Sequence, residues 1–219
     1  MCGEGWESPH VACKALEGTP AQNQNIGAGD MLTELLEKSS LFHLLYRIDL
    51  DLAKKHREVG CRHCGGPLHQ ANYERKPRGE PESIPDQYLL RLSFCCGRPD
   101  CRCRSLPPSC RFWGQRVYWS CVILVVMALR QNRANSASIS KLEGMFGISR
   151  QTICRWIEYF REHFPSSAQW QRIRGRVSAR VTDSDLPTAL LQYFLDHCES
   201  IESGLVSCLR FLACGKMKL

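Results

Sequence analysis

The chain lacks any apolar run long enough to cross a bilayer. Its longest such run, residues 117–129, has thirteen residues, whereas a transmembrane helix needs about 20. The N-terminus also lacks the basic segment and apolar run that make up a secretory signal. We therefore expect a cytoplasmic protein with no membrane partner.

Aspartate is absent from a long central stretch. Between Arg102 and Arg180 the chain has fourteen Lys and Arg, three Glu and no Asp, which gives a net charge of +11. Because the whole chain carries +7, the remainder carries −4. A basic middle favours a partner with phosphates, and the partner that we expect is double-stranded DNA. The alternative is a solubilising surface, which is the simpler explanation for +7 alone.

Cysteine, in contrast, is abundant, with fourteen residues in the chain. Small secreted proteins use such numbers for disulfides, but the missing signal segment argues against secretion. The cysteines are concentrated between positions 61 and 110, and Cys95 directly precedes Cys96. Neighbouring cysteines of this kind suit a metal site better than two separate disulfides, so the pattern favours metal binding in a reducing compartment.

The first candidate ligand pair lies in the sequence CRHCGG at residues 61–66. A C-x2-C turn followed by glycine places two thiolates on one side of an ion, and the glycines let backbone amides turn toward the sulfurs. We predict Cys61 and Cys64 as two ligands of a structural Zn²⁺. Ordinary reduced cysteines are one alternative. A redox C-x2-C is another, although that motif usually follows a strand and opens a helix.

The second ligand pair follows about thirty residues later. Cys96 is followed by glycine, as Cys64 is, so we predict Cys96 and Cys101 as the remaining ligands. Cys95 and Cys103 are the substitutes, and alternation along a strand prevents Cys95 and Cys96 from facing one metal together. Four protein ligands leave no open position, so the predicted site is structural rather than catalytic.

Hydrophobic spacing predicts a mainly α fold with a small β zinc ribbon. Strand patterning occurs only around the cysteines, at residues 68–73 and 88–94, and residues 117–131 predict a buried helix. We expect Ser39 and Ser40 to interrupt the N-terminal helical pattern and to cap a second helix. The expected segments are a disordered tail (1–29), N-terminal helices (30–60), a zinc ribbon (61–113), a trihelical helix-turn-helix unit (114–165), and a basic linker with C-terminal helices (166–219).

Two helices joined by a tight turn are predicted within residues 138–163. Gly147 supplies the turn, and Ser149 is a good N-cap for the second helix. Apolar residues at helical spacing bury one face of that helix and leave the polar residues near its N-terminus outside, where a recognition helix meets base edges. The candidate DNA contacts are Ser149, Arg150, Gln151, Thr152 and Arg155, with Arg172, Arg174 and Arg176 along the phosphates.

The motifs CRHCGG, CCGRPDC and FGISRQTICRW, in this order, resemble the DNA-binding end of bacterial insertion-sequence transposases and their accessory proteins. The resemblance covers roughly residues 61–163 and implies sequence-specific binding to element ends or to a promoter. Full transposases of this kind carry three carboxylates on an RNase H-like fold after the DNA-binding part, whereas only 56 residues follow position 163 here. The resemblance therefore implies an accessory or regulatory protein that is not itself an enzyme, or a fragment of a transposase.

Three function classes remain open at this point. The first is a zinc-containing DNA-binding protein, with a transposase or a second copy of the chain as a further partner. The second is a nuclease or recombinase that uses His197 or the C-terminal carboxylates, which no motif supports. The third is a protein-interaction module, and an ordinary helical hairpin with a solvated arginine face would fit that class.

Overall fold

The computed structural model describes residues 26–79, 84–132 and 136–215. Within these residues the protein is mainly helical and has two small antiparallel sheets. The helices are α1 (Ile26–Leu36), α2 (Ser39–Val59), α3 (Ser120–Gln131), α4 (Ile139–Phe146), α5 (Arg150–Glu158), α6 (Ala168–Ile173), α7 (Thr188–His197) and α8 (Ile201–Cys214). The strands are β1 (Leu68–Gln70), β2 (Tyr73–Glu74), β3 (Leu90–Arg91), β4 (Phe94–Cys96) and β5 (Arg104–Ser105). No strand follows β5 in the described ranges, as the sequence predicted.

The strands lie between α2 and α3 and form what we call the cysteine module, residues 61–105. One sheet has the order β1–β4–β5, and the other pairs β2 with β3. The two longer strands that the sequence predicted are each broken. Asn72 interrupts the first, because its side-chain Oδ1 accepts the Ser93 N–H at 3.0 Å in place of a backbone ladder bond. The second begins as a 3₁₀ turn, Asp86–Leu89.

Several predicted helix boundaries were wrong. Helix α1 begins inside the predicted disordered tail, and Gly29 there packs closely on Leu129 of α3. The rest of that tail, residues 1–25, lies outside the described residues. The chain does break before Ser39, but Lys38 is the N-cap of α2 and no side chain caps it. Helix α3 begins at Ser120 because Tyr118 and Trp119 make isolated β-bridges instead.

Helix α3 is the centre of the helical part. Every residue from Ser120 to Ala128 is buried, which fits the apolar run that predicted a buried helix. It packs against α4 and α5, as a trihelical unit requires, but also against α1, α7 and α8. One continuous apolar core therefore extends from Leu32 to Leu212, across segments that the sequence analysis treated as separate.

The segment 166–182, predicted to be a basic linker, is partly helical. Ser167 caps α6 by accepting the Trp170 N–H, and Trp170 and Ile173 are almost completely buried in the main core. The indole N–H of Trp170 donates to Asp183 at 2.7 Å. The prediction failed here because arginines dominate the composition, while two apolar residues three positions apart are enough to hold one short helix on the core.

Helix α2 contributes to both apolar cores of the protein. Leu52 belongs to the main core, while the adjacent Ala53 packs into the small core of the cysteine module. Nearer the middle of the helix, the buried carboxylate of Asp49 accepts hydrogen bonds from Ser109 Oγ, from the Cys110 N–H at 2.6 Å and from Arg111 Nε at 2.9 Å. The cysteine module is thus attached to the helical part on both sides, by α2, which precedes it, and by residues 109–111, which follow it.

Candidate metal centre and helix pair

The first cysteine turn is built by backbone hydrogen bonds at the end of α2. The Cys61 N–H donates to the Gly66 carbonyl at 2.9 Å, and the Gly65 N–H donates to the Cys61 carbonyl at 2.7 Å. Gly65 has φ +67°, a conformation that glycine adopts without strain. The amides of His63 and Cys64 point at the sulfur of Cys61 and lower the pKa of that thiol to about 7.

The second turn follows β4. The Cys101 N–H donates to the Arg98 carbonyl at 3.1 Å, which curls the chain back so that Cys101 returns toward Cys96. Gly97 packs closely on His69, because a Cβ there would lie 2.4 Å from Nε2 of that exposed side chain, which would have to move. Unlike Gly65, Gly97 does not have a positive φ.

The two turns bring four thiols together at Cys61, Cys64, Cys96 and Cys101. All four sulfurs lie within 4.8 Å of one another, with 3.7 Å between Cys61 and Cys101 and 3.5 Å between Cys64 and Cys96. Four sulfurs bound tetrahedrally to one zinc ion at 2.3 Å would be about 3.8 Å apart. These are the four positions selected from the sequence, and their geometry could hold a metal ion.

Without a cation, the neighbouring sulfurs disfavour the thiolate form of Cys96. The Arg98 amide lowers the pKa of Cys96, but burial and the neighbouring thiols of Cys64, Cys101 and Cys61 outweigh it and raise the pKa to about 12. A divalent cation reverses this balance, because it binds the thiolates and releases their protons. The donor set therefore fits a soft or borderline metal ion.

The two substitute cysteines lie outside the group of four. Cys95 precedes Cys96 in β4 and so points to the other side of the sheet, where its sulfur contacts the Arg102 carbonyl at 3.4 Å. Cys103 is half-buried beside the small core. Cys110 and Cys121 are buried in the main core.

The helix pair α4–α5 has the short connection that the sequence predicted. Gly147 takes a left-handed conformation with φ +60° and ends α4, Ile148 is almost completely buried, and Ser149 caps α5 by accepting the Thr152 N–H. Helix α5 buries Ile153 and Trp156. The connection is therefore held on both sides, by a backbone turn and by an apolar side chain.

The candidate DNA contacts at the start of α5 lie on its outer face. Ser149, Arg150, Gln151 and Arg155 are exposed, and Thr152 is half-buried. The start of α5 also has an acidic neighbour that the sequence did not predict: Oε1 of Glu143 in α4 accepts the Arg150 N–H at 2.6 Å. No spacing rule signals this contact, since it depends on the angle between the two helices.

The three arginines of the basic segment are exposed, but two of them also bind within the protein. Arg174 forms an ion pair with Asp183 at 3.1 Å, and Arg176 donates to the Gly215 carbonyl. Arg172 takes part in neither contact, and its side chain lines a cleft together with residues of the segment 108–114 and of α8. The structure therefore distinguishes three residues that sequence composition treated alike.

Comparisons with protein-family models, curated proteins and solved structures find no match to this chain. None of the described helices is both long and apolar enough to cross a membrane. We therefore infer the function of the chain from the geometry of the thiol cluster and of the helix pair.

Proposed function

We propose that this chain is a zinc-containing, sequence-specific DNA-binding protein. The four thiols hold a structural Zn²⁺, and the N-terminal part of α5 contacts base edges in the major groove. The observation that carries the proposal is the outer face of α5, where Arg150, Gln151 and Arg155 are exposed on a helix whose inner face is anchored in the core.

The zinc assignment is supported by the donor set and the spacing of the sulfurs. Four sulfur ligands with no nitrogen or carboxylate partner are typical of structural zinc sites, and four protein ligands leave no position for a reactive water. The small core beside the cluster has few apolar side chains, chiefly Leu68, Leu92 and Phe94. A core of this size gives little stability by itself, so the metal supplies the free energy that keeps the module folded.

The DNA assignment is supported by the chemistry of the exposed side chains. Arginine pairs with the O6 and N7 atoms of guanine, and glutamine pairs with the N6 and N7 atoms of adenine. Helices α3, α4 and α5 contact one another, as the helices of a helix-turn-helix unit do, and in such units the second helix of the pair enters the major groove. Arg172, Arg174 and Arg176 lie further along the chain and contact backbone phosphates, with Arg174 and Arg176 first leaving their internal partners.

A transposition-associated accessory or regulatory role is the form of this function that the motif resemblance favours. Further partners in such a role are double-stranded DNA, a transposase and a second copy of this chain.

Replacing Arg150 or Arg155 with alanine should weaken binding to a selected DNA site by about 1–3 kcal/mol each and relax discrimination at one base pair. Both side chains are exposed, so the free energy of unfolding should change by less than about 0.5 kcal/mol. The measurement is a binding titration on selected and scrambled duplexes at two salt concentrations.

Two control variants separate base reading from general charge. Arg172→Ala should weaken selected and scrambled duplexes about equally and reduce the salt dependence, because phosphate contacts carry no base information. Lys54→Ala, which removes an exposed cation from α2, should change neither. If the Arg150 and Arg155 variants are folded and still bind the selected site like the parent protein, α5 is not a reading helix and the protein-interaction hypothesis replaces the proposal.

A further inference from the structure

Three guanidinium groups lie around one aromatic ring, that of Phe112, which follows the cysteine module in the chain. Arg75, Arg91 and Arg111 lie 5.1, 5.9 and 4.9 Å from the ring centre of Phe112. Arg111 is completely buried, and Arg91 is 7 % exposed. Burying charged groups is costly unless a counter-charge lies beside them, so the charge balance of this cluster is informative.

Among the described residues, one carboxylate forms an ion pair with this group of three arginines. Asp49 forms its ion pair with Arg111 and completes its hydrogen bonding with Ser109 and the Cys110 amide. Arg91 has no ion pair in the same part of the chain; its two terminal nitrogens donate to the carbonyls of Leu92 and Pro107. Burial is the main cause that lowers the pKa of Arg91; Asp49 and Tyr73 oppose this effect, and repulsion by Arg111 and Arg75 adds to it.

A cleft of about 260 Å³ opens beside this excess of positive charge. Its walls include residues of the segment 108–114, of helix α6 and of the C-terminal half of α8, and Arg91 also lines it. Arg172 of α6 is a second arginine in the lining, and Gln169 and Ser120 add polar atoms. No acidic side chain lines the cleft among the described residues. Its volume is enough for a small anion together with its bound water.

We propose that this cleft binds a phosphate-type oxyanion between Arg91 and Arg172. Guanidinium groups bind tetrahedral oxyanions through paired, charge-assisted hydrogen bonds, and partial burial strengthens such bonds. The anion gives Arg91 an ion pair, which among the described residues Asp49 forms with Arg111. This chemistry is shared by free inorganic phosphate and by a phosphate of a DNA backbone, and the site lies outside the set of base contacts on α5.

The test is a calorimetric titration of the full-length, zinc-loaded protein with inorganic phosphate in the absence of DNA. Phosphate should bind once per chain and raise the melting temperature. Arg172→Ala removes one wall of the site, and Ala213→Glu places a negative charge on the α8 wall. Each variant should lower the phosphate affinity by about 10- to 100-fold, the range that corresponds to one charge-assisted hydrogen bond. Arg180→Ala, an exposed arginine outside the cleft, is the matched control and should bind phosphate like the parent.

A second arm identifies the source of the anion. If phosphate displaces a duplex from the parent protein and Ala213→Glu weakens duplex binding, the cleft takes a backbone phosphate. If phosphate binds without displacing the duplex, the cleft takes a free oxyanion. The proposal is overturned if Arg172→Ala and Ala213→Glu, both folded, bind inorganic phosphate like Arg180→Ala. Because the first arm contains no DNA, its failure would leave the proposed reading helix untouched.

Discussion

Replacing Cys64 with serine should abolish stoichiometric zinc binding and unfold the cysteine module. Its sulfur lies 3.5 Å from that of Cys96, so its loss removes one of four ligands at the centre of the cluster. Structural zinc contributes on the order of 10 kcal/mol in small zinc modules at neutral pH, which exceeds what the small core can supply. A chelator added to the parent protein should have the same effect. Elemental analysis and far-ultraviolet circular dichroism measure both outcomes.

The matched control is Cys95→Ser, one residue from a ligand but on the other side of β4. Its sulfur contacts the Arg102 carbonyl and lies outside the group of four, so this variant should keep one zinc per chain. A Cys64→Ser protein that retains full zinc occupancy would exclude the proposed ligand set. Zinc loss in both variants would show that β4 contributes ligands differently from the observed geometry.

Replacing Asp49 with asparagine should lower the free energy of unfolding by about 3–5 kcal/mol. The substitution leaves the buried guanidinium of Arg111 without its carboxylate, and an uncompensated buried charge is far costlier than a lost surface ion pair. It also weakens the acceptor for Ser109 and for the Cys110 amide. Because whole domains are stable by only about 5–15 kcal/mol, a loss of this size is a large fraction of the total.

The control for this variant is Asp51→Asn, two residues along the same helix. Asp51 is exposed, so its neutralisation should change the stability by less than about 0.5 kcal/mol. Urea denaturation of the zinc-loaded proteins measures both changes. A loss below about 1 kcal/mol for Asp49→Asn would mean that water or another group compensates Arg111 in its place.

The candidate metal centre could be found in the sequence because its signal is local. The C-x2-C turn at residues 61–66 and the Cys96-Gly97 pair are each recognisable from a few neighbouring residues. The structure brings Cys61, Cys64 and Cys96 together with Cys101. The short turn at Gly147 and the cap at Ser149 were predictable for the same reason.

The remaining features depend on contacts between residues that are distant in sequence. Asp49 and Arg111 are separated by 62 positions, and nothing near either residue marks it as the other's partner. The break in the first predicted strand depends on one hydrogen bond between Asn72 and Ser93. Helix α6, which carries the buried Trp170, packs against α8, and helical periodicity does not specify that contact. Sequence spacing predicts which face of an element is apolar, but not which element will cover it.

Leu52 and Ala53 are neighbours in α2 but pack into two different cores, and this limits where the chain can gain or lose residues. Each residue of an α-helix turns the chain by about 100°. An insertion or deletion between Asp49 and the end of α2 would therefore swing the cysteine module around the helix axis, away from its anchor at Arg111. Related chains should accordingly tolerate added residues in surface loops, while the number of residues from Asp49 to Cys61 stays constant.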